Sequence, residues 1–179
     1  ARRFLSRCLR LLGLRNDYGR SHVDGRIVKI DSFPISIDYA YFAALREEPD
    51  VVSSYASLLA NFYGQKLIFS IDRLDYSKGI LERLEGYKRF LEDNPKYLGQ
   101  VTMLMIVSPS RTGVESYQQL QTQIEQSVSR INGQYGSAEW APISYQFQTL
   151  ALKEIVPMYM AADTMLVTPR RDGMNLVAK

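Results

Sequence analysis

KLIFSIDRLDYSKG, residues 66–79, is an apolar run that passes directly into a charged loop. The run predicts a β-strand over Lys66–Ile71, and the residues after the loop predict a helix over about 79–94. Gly79 marks the point where the loop gives way to the helix. A strand, a short polar loop and a helix in succession are typical of one repeat of a parallel α/β sheet.

The same alternation continues on both sides of this stretch. Downstream strands are expected at Val101–Val107, Ile143–Phe147 and Thr164–Val167, with helices at about 113–132 and 152–162 and another beginning after Gly173. Upstream, residues 38–47 and 50–63 read as helices. Pro157 falls inside an expected helix, so we expect a kink or an altered start there. The alternation predicts an α/β fold in which helices flank both faces of a Rossmann-like parallel sheet.

The first fifteen residues have a different character, with five arginines and no acidic residue. Their apolar side chains fall on one helical face, and the arginines lie largely off it. We interpret this segment as a surface helix, against the alternatives of a targeting signal or a nucleic-acid-binding arm. Turn residues then predict a loop up to Asp24-Gly25, followed by a strand over 26–30 that ends before Pro34.

Composition excludes several classes of function. The chain has 179 residues, of which 46% are hydrophobic and 23% charged, enough for one sizeable core. It has no apolar run of membrane-spanning length, and it has neither a dinucleotide-binding glycine fingerprint nor a phosphate-binding P-loop. Cys8 and His22 are the only residues of their types, which leaves no cluster for a zinc site. A lone cysteine fits a reducing compartment, and we expect a cytoplasmic protein.

Cations follow the predicted strands. In a parallel sheet, ligands bind beyond the carboxyl ends of the strands, where the following helices begin. The loops at that rim carry Arg73, Lys78, Arg111, Arg170 and Arg171. Clustered cations beside helix N-termini suit an anionic ligand, and phosphate is the ligand that this pattern favours.

Each candidate also has an ordinary structural role open to it. Arg73 could pair with a neighbouring aspartate, and Lys78 could simply be solvated. Arg111 could lie over the helix that follows it. Asp172, which precedes Gly173, could cap a helix, or it could accept hydrogen bonds from sugar hydroxyl groups.

Several motifs together are similar to those of the trehalose-6-phosphate synthases. They are DRLDYSKGI at 72–80, RING at 130–133 and VTPRRDGMNLVAK at 167–179, with FPISID at 33–38 and Ser110-Arg111 in the same order and spacing. The resemblance covers nearly the whole chain. It implies the C-terminal half of a two-domain GT-B glycosyltransferase, which moves glucose from UDP-glucose to glucose 6-phosphate with retention of configuration. The products would be trehalose 6-phosphate and UDP, and the transfer would use neither a metal nor another cofactor.

The resemblance also implies roles for individual residues. Arg73 and Lys78 would bind and stabilise the diphosphate, and Asp172 would contact the donor glucose. Arg111 would reach the phosphate of the acceptor, and the backbone of Leu150 would contact the uracil. The remaining donor contacts would come from one segment, made of Gly173, Met174, Asn175, Leu176, Val177, Ala178 and Lys179.

The same comparison predicts the domain organisation. Residues 1–33 would be the tail of the N-terminal acceptor domain, and residues 34–179 a nucleotide-sugar-binding domain truncated at its C-terminus. The family's last motif continues past Lys179 with a glutamate that holds the ribose. The family's N-terminal half is absent except for its tail, so the cleft would have only one wall, and we expect the isolated chain to be inactive. The expected partners are UDP-glucose and glucose 6-phosphate, without nucleic acid or membrane, and homo-oligomerisation of the parent protein stays open.

Two other functions stay open at this point. The chain could come from a regulatory family member that binds ligands or partner subunits without turnover. It could also come from a related glycosyltransferase with a different acceptor, such as a glucosylglycerol-phosphate or valienol-type synthase. The presence of Arg73, Lys78, Arg111 and Asp172 favours a working site.

Overall fold

The computed structural model describes residues 2–31, 34–111 and 113–178. The chain divides into two compact units, residues 1–36 and 37–179. Their assignment to an acceptor domain and a donor domain stays a prediction, and the predicted boundary at Phe33 lies outside the described residues. None of the helices in the described ranges combines the length and the apolar character that a membrane span requires.

The first unit contains one helix and one hairpin. Helix α1 spans Arg2–Leu12, and strands β1 (Arg20–Val23) and β2 (Arg26–Lys29) pair antiparallel. Asp24 and Gly25 join them with φ angles of 49° and 74°, as a two-residue type I′ hairpin turn requires. Our prediction of a loop before Gly25 was therefore wrong for 20–23, where β1 is formed.

The second unit is a parallel sheet with helices on both faces. Its elements in chain order are α2 (Tyr39–Leu45), α3 (Pro49–Asn61), β3 (Lys66–Arg73), α4 (Ile80–Asp93), β4 (Val101–Ser108), α5 (Glu115–Tyr135), β5 (Ile143–Phe147), α6 (Leu152–Ala161) and β6 (Thr164–Met165). The strands lie in the order β5-β4-β3-β6, and every pair is parallel. The predicted fold class is confirmed, including the strand that decides it.

Strand β4 shows why both faces are covered. Its alternate side chains belong to different clusters: Met103 and Met105 pack with α4 and α5, whereas Leu104 and Ile106 pack with Phe69 and α6. All four are buried. A strand that is apolar on both faces stays out of water only when each face carries a layer of helices.

Local signals explain where the helices start. The Asp38 carboxylate accepts a hydrogen bond from the backbone N–H of Tyr41 at 3.0 Å, which caps α2. Pro49 occupies the first turn of α3, where no backbone donor is needed. The backbone N–H of Ala151 donates to the Glu154 carboxylate at the start of α6. That helix begins where it was predicted, with Pro157 inside it.

The end of the chain differs from the prediction. Strand β6 is limited to Thr164–Met165, and the helix expected after Gly173 is a single 3-10 turn over Leu176–Ala178. The Asp172 carboxylate accepts from the N–H of Met174 at 3.1 Å, and the Asn175 side chain accepts from Val177 at 3.0 Å. Side chains that accept hydrogen bonds from nearby backbone N–H groups in this way compete with helix formation.

Candidate functional site

The candidate residues lie at the carboxyl end of the sheet. Arg73 is the last residue of β3 and Lys78 lies in the loop after it, while Arg111 follows β4 and Asp172 follows β6. Leu150 lies between β5 and α6. Because β4 and β6 both neighbour β3, the three loops that carry the charged candidates begin side by side.

The loops after β3 and β6 are held against each other. The backbone N–H of Arg170 donates to the carbonyl of Ser77 at 2.8 Å. Gly79 has a φ of 65°, and a Cβ atom there would lie 2.4 Å from the carbonyl oxygen of Thr168. Glycine is needed at this position for two reasons, the left-handed backbone and the close approach of the second loop.

Lys78 and Asp172, predicted from different motifs, are in direct contact. The Lys78 ammonium donates to Asp172 Oδ2 at 2.6 Å, and the two side chains are 17% and 18% exposed. The Lys78 ammonium holds the pKa of the Asp172 carboxyl below its ordinary value. A second carboxylate, Asp72, lies farther away, with its Oδ1 3.9 Å from the ammonium. Lys78 therefore has two anionic neighbours.

Arg83, on α4, was missed by the sequence analysis. Its guanidinium donates to Asp72 Oδ2 at 2.6 Å, to Thr168 Oγ1 at 2.9 Å and to the hydroxyl of Ser70. The Arg83 and Asp72 side chains are 1% and 3% exposed. Burial raises the pKa of Asp72, while the charges of Arg83 and Lys78 act in the opposite direction.

The sequence does contain a signal that Arg83 has a partner inside the protein. Arg83 shares the helical face of Ile80, Leu84, Tyr87 and Leu91, all of which are buried. Arginine is almost never fully buried unless it is paired, so an arginine on an apolar helical face indicates a partner inside the protein.

Arg73 lies close to an aspartate, Asp75, as its alternative structural role predicted. It is exposed at the end of β3, with Nη2 3.5 Å from Asp75 Oδ2. Partial burial acts to raise the pKa of Asp75, but hydrogen bonds from Ser77 and the charge of Arg73 lower it overall. An exposed ion pair of this length contributes little to stability, so it leaves the guanidinium available to a stronger anion.

Arg111 is held by the helix that follows it. Its Nη1 donates to the Tyr117 hydroxyl at 3.0 Å, and its guanidinium carbon lies 5.5 Å from the centre of the tyrosine ring. Its backbone has a φ of 48°, an uncommon conformation for a residue with a side chain. Such strained residues are concentrated at functional sites.

The other residues predicted to contact the ligand differ in their exposure. Gly173 and Met174 are exposed, as are Leu176 and Ala178, whereas Asn175 and Val177 are half-buried. The Leu150 side chain packs against the core cluster of Phe69, so a ligand contact would fall on its backbone. Lys179 lies outside the described residues. Arg170, expected to add a cation to the rim, forms an ion pair with Glu82 of α4.

The arrangement can bind an anion beside a hydrogen-bond acceptor. Arg73, at the end of β3, and Lys78, in the loop that leads into α4, supply positive charge near the start of that helix, where backbone N–H groups are also available. Asp172 supplies a carboxylate in contact with Lys78. Among residues 2–31, 34–111 and 113–178, no cluster of three or more His, Cys, Asp or Glu side chains is suited to a metal ion.

Comparison with known proteins identifies similar sequences and structures. The model of glycosyltransferase family 20 matches residues 1–179. The bifunctional trehalose-6-phosphate synthase/phosphatase of Thermoproteus tenax is 42% identical over 171 residues, which are 96% of this chain and 23% of that protein.

Two solved structures are also similar. "Trehalose-6-phosphate from E. coli bound with UDP-2-fluoro glucose" has a TM-score of 0.88 at 36% identity, with 96% of this chain and 38% of that one covered. A UDP-forming α,α-trehalose-phosphate synthase from Burkholderia xenovorans, in complex with glucose-6-phosphate, has a TM-score of 0.84 at 34% identity. In that pair, 89% of this chain and 35% of the other are covered. The chain thus spans well under half the length of these relatives.

Proposed function

The chain belongs to glycosyltransferase family 20, and we propose that it is the donor-binding part of a retaining glycosyltransferase that forms trehalose 6-phosphate. The donor is UDP-glucose and the acceptor glucose 6-phosphate. The observation that carries this proposal is the contact between Lys78 and Asp172. It joins a cation suited to a diphosphate and a carboxylate suited to sugar hydroxyl groups, as a nucleotide sugar requires.

The diphosphate is the leaving group of this reaction. The bond between the anomeric carbon of glucose and the diphosphate oxygen breaks, and the electron pair stays on the diphosphate. Its negative charge therefore grows in the transition state. Arg73 and Lys78, beside the N–H groups at the start of α4, stabilise that charge more strongly in the transition state than in the ground state. The anomeric carbon bonds to a hydroxyl oxygen of the acceptor, and the proton of that hydroxyl is taken up by the departing diphosphate.

The sugar is oriented by the loop after β6. Asp172 accepts hydrogen bonds from glucose hydroxyl groups, while Gly173, Met174 and Asn175 line the same turn. The segment Leu176–Ala178 follows the donor with its backbone, and the backbone of Leu150 meets the uracil.

The acceptor is held through its phosphate. Arg111 contacts this group from the loop after β4, and its contact with Tyr117 keeps the guanidinium oriented. The Burkholderia xenovorans relative was solved with glucose-6-phosphate, which supports this choice of acceptor for the family.

Calorimetry of UDP binding to the full-length protein tests the donor site. Arg73→Ala and Lys78→Ala should each weaken binding by about 2 kcal/mol, or roughly 30-fold, because a charge-assisted hydrogen bond is lost. Lys96→Ala is the matched control, since Lys96 lies in the turn before the amino end of β4, away from the site. Unchanged affinity in Lys78→Ala would refute the assignment.

A turnover assay tests the reaction itself. The full-length protein should release UDP from UDP-glucose only when glucose 6-phosphate is present. Tight UDP binding without turnover would instead favour a regulatory protein. UDP release with a different acceptor would favour a related synthase.

A further inference from the structure

Lys78 has two candidate anionic partners inside the protein. Its ammonium is hydrogen-bonded to Asp172 at 2.6 Å, whereas its ion pair with Asp72 is longer, at 3.9 Å to Oδ1. Asp72 is the more deeply buried of the two carboxylates, at 3% exposure. Since electrostatic attraction is stronger away from water, an uncompensated Asp72 would be the stronger competitor for the lysine.

Arg83 is the group that compensates Asp72. Its Nη2 donates to Asp72 Oδ2 at 2.6 Å and lies 3.4 Å from the carbonyl oxygen of Lys78 itself. The same guanidinium bonds Ser70 and Thr168, which fixes its position between β3 and the loop after β6. Buried charges that lose their partner are costly, so Asp72 depends on this arginine.

We propose that Arg83 is a positioning residue for Lys78. By pairing with Asp72, it stops that carboxylate from drawing the lysine inward and leaves the ammonium at the rim for a diphosphate. This inference rests on the proposed function and adds a residue to it that makes no contact with the ligand.

A purely structural role for Arg83 would have a different consequence. If Arg83 acted only as a cross-link between Ser70, Asp72 and Thr168, removing a second member of the network would deepen the damage. If Arg83 acts by neutralising Asp72, removing the carboxylate charge as well should reverse the damage. The two roles therefore predict opposite outcomes for the double variant.

The experiment measures UDP affinity by calorimetry in the full-length protein, with thermal unfolding to confirm that each variant is folded. Arg83→Met should weaken UDP binding by about 10-fold or more. Adding Asp72→Asn to that variant should restore the affinity to within about threefold of wild type. Arg83→Lys keeps the charge and should stay within about fivefold of wild type.

The pH profile of Arg83→Met gives a second readout. Within the part of the chain that the structure describes, the charged and titratable groups near Asp72 besides Lys78 and Arg83 are Asp172, in the loop after β6, and Tyr159, on α6. Without the arginine, burial favours the neutral form of Asp72 at low pH. UDP should therefore bind more tightly at pH 5 than at pH 8 in this variant, relative to wild type.

Each result of these experiments either supports or overturns the role proposed for Arg83. A folded double variant that binds UDP no better than Arg83→Met would overturn the inference, as would wild-type affinity in Arg83→Met. If Arg83→Met does not fold, Arg83→Lys decides: retained affinity supports the inference, and a loss equal to that of Lys78→Ala overturns it. A wild-type protein that binds no UDP would fail at an earlier step, because it would overturn the proposed function and this inference with it.

Discussion

Asp172→Asn is expected to tighten the binding of UDP while it weakens the selection for UDP-glucose. In the structure, the Lys78 ammonium donates a hydrogen bond to Asp172 Oδ2 at 2.6 Å. A diphosphate therefore has to replace this carboxylate as the partner of the lysine. Asparagine has nearly the same shape and keeps an oxygen for the N–H of Met174. The substitution therefore removes the competing charge with little change to the turn.

The magnitude follows from the geometry of the pair. A hydrogen bond between charged groups contributes roughly 1.5–3 kcal/mol, and less when water reaches it, as it does here at 17% and 18% exposure. Releasing Lys78 should thus improve the Kd for UDP by about 3- to 10-fold, or about 1 kcal/mol. UDP-glucose gains the same amount but loses the sugar contact to the carboxylate, so its Kd should stay level or rise.

The assay is calorimetry of both ligands with the full-length protein at neutral pH. Asp172 is ionised there, because its pKa is lowered by the hydrogen bond from Lys78. Asp93→Asn, an exposed position at the end of α4, is the matched control for the loss of one negative charge. The reasoning is refuted if folded Asp172→Asn binds UDP as wild type does, or if it binds both ligands more tightly to the same extent.

Four further substitutions test other parts of the structure. Gly79→Ala should lower the free energy of unfolding by at least about 1–2 kcal/mol, since its φ of 65° disfavours a side chain and its Cβ would meet a carbonyl oxygen at 2.4 Å. Gly86→Ala, in the middle of α4 with nothing within 4 Å, should instead raise it by about 0.5–1 kcal/mol; thermal unfolding that ranks the pair the other way would contradict this. Tyr117→Phe removes the acceptor of the 3.0 Å bond from Arg111 and should raise KM for glucose 6-phosphate roughly 2- to 5-fold; steady-state kinetics with an unchanged KM would count against the role of Arg111. Asp163→Asn should lower Tm at pH 7, and this difference in Tm from wild type should shrink as the pH falls below about 4. The pKa of Asp163 is lowered in the folded state, so the stabilisation that its charge provides is lost through that pH range. A difference in Tm that stays constant from pH 7 to pH 2 would disprove the ionic contribution.

The repeating part of the fold was predictable because its elements carry strong local patterns. Strand β3 was expected over Lys66–Ile71 and spans Lys66–Arg73, and α6 was placed correctly despite Pro157. The hairpin strand β1 was missed although Asp24-Gly25 is a two-residue turn signal, because its strands are only four residues long. Short elements carry too few residues for a period to emerge.

The placement of the candidate site was predictable, but its internal connections were not. Arg73, Lys78 and Asp172 were expected at one end of the sheet because the topology of a parallel sheet brings the ends of its strands together, and the structure places them there. The contact between Lys78 and Asp172 joins residues 94 positions apart and has no local signature. The interaction of Arg83 with Asp72 depends in the same way on which helix face is buried against which strand.

The close approach of Gly79 to Thr168, with the bond from Arg170 to Ser77, bears on the entropy of ligand binding. These two contacts tie the loops after β3 and β6 together before any ligand arrives. The conformational entropy of the two loops is therefore lost when the protein folds, and little more is lost when a ligand binds. Because these contacts join the two loops, we expect the residues proposed to bind the diphosphate and the turn proposed to bind the sugar to move together.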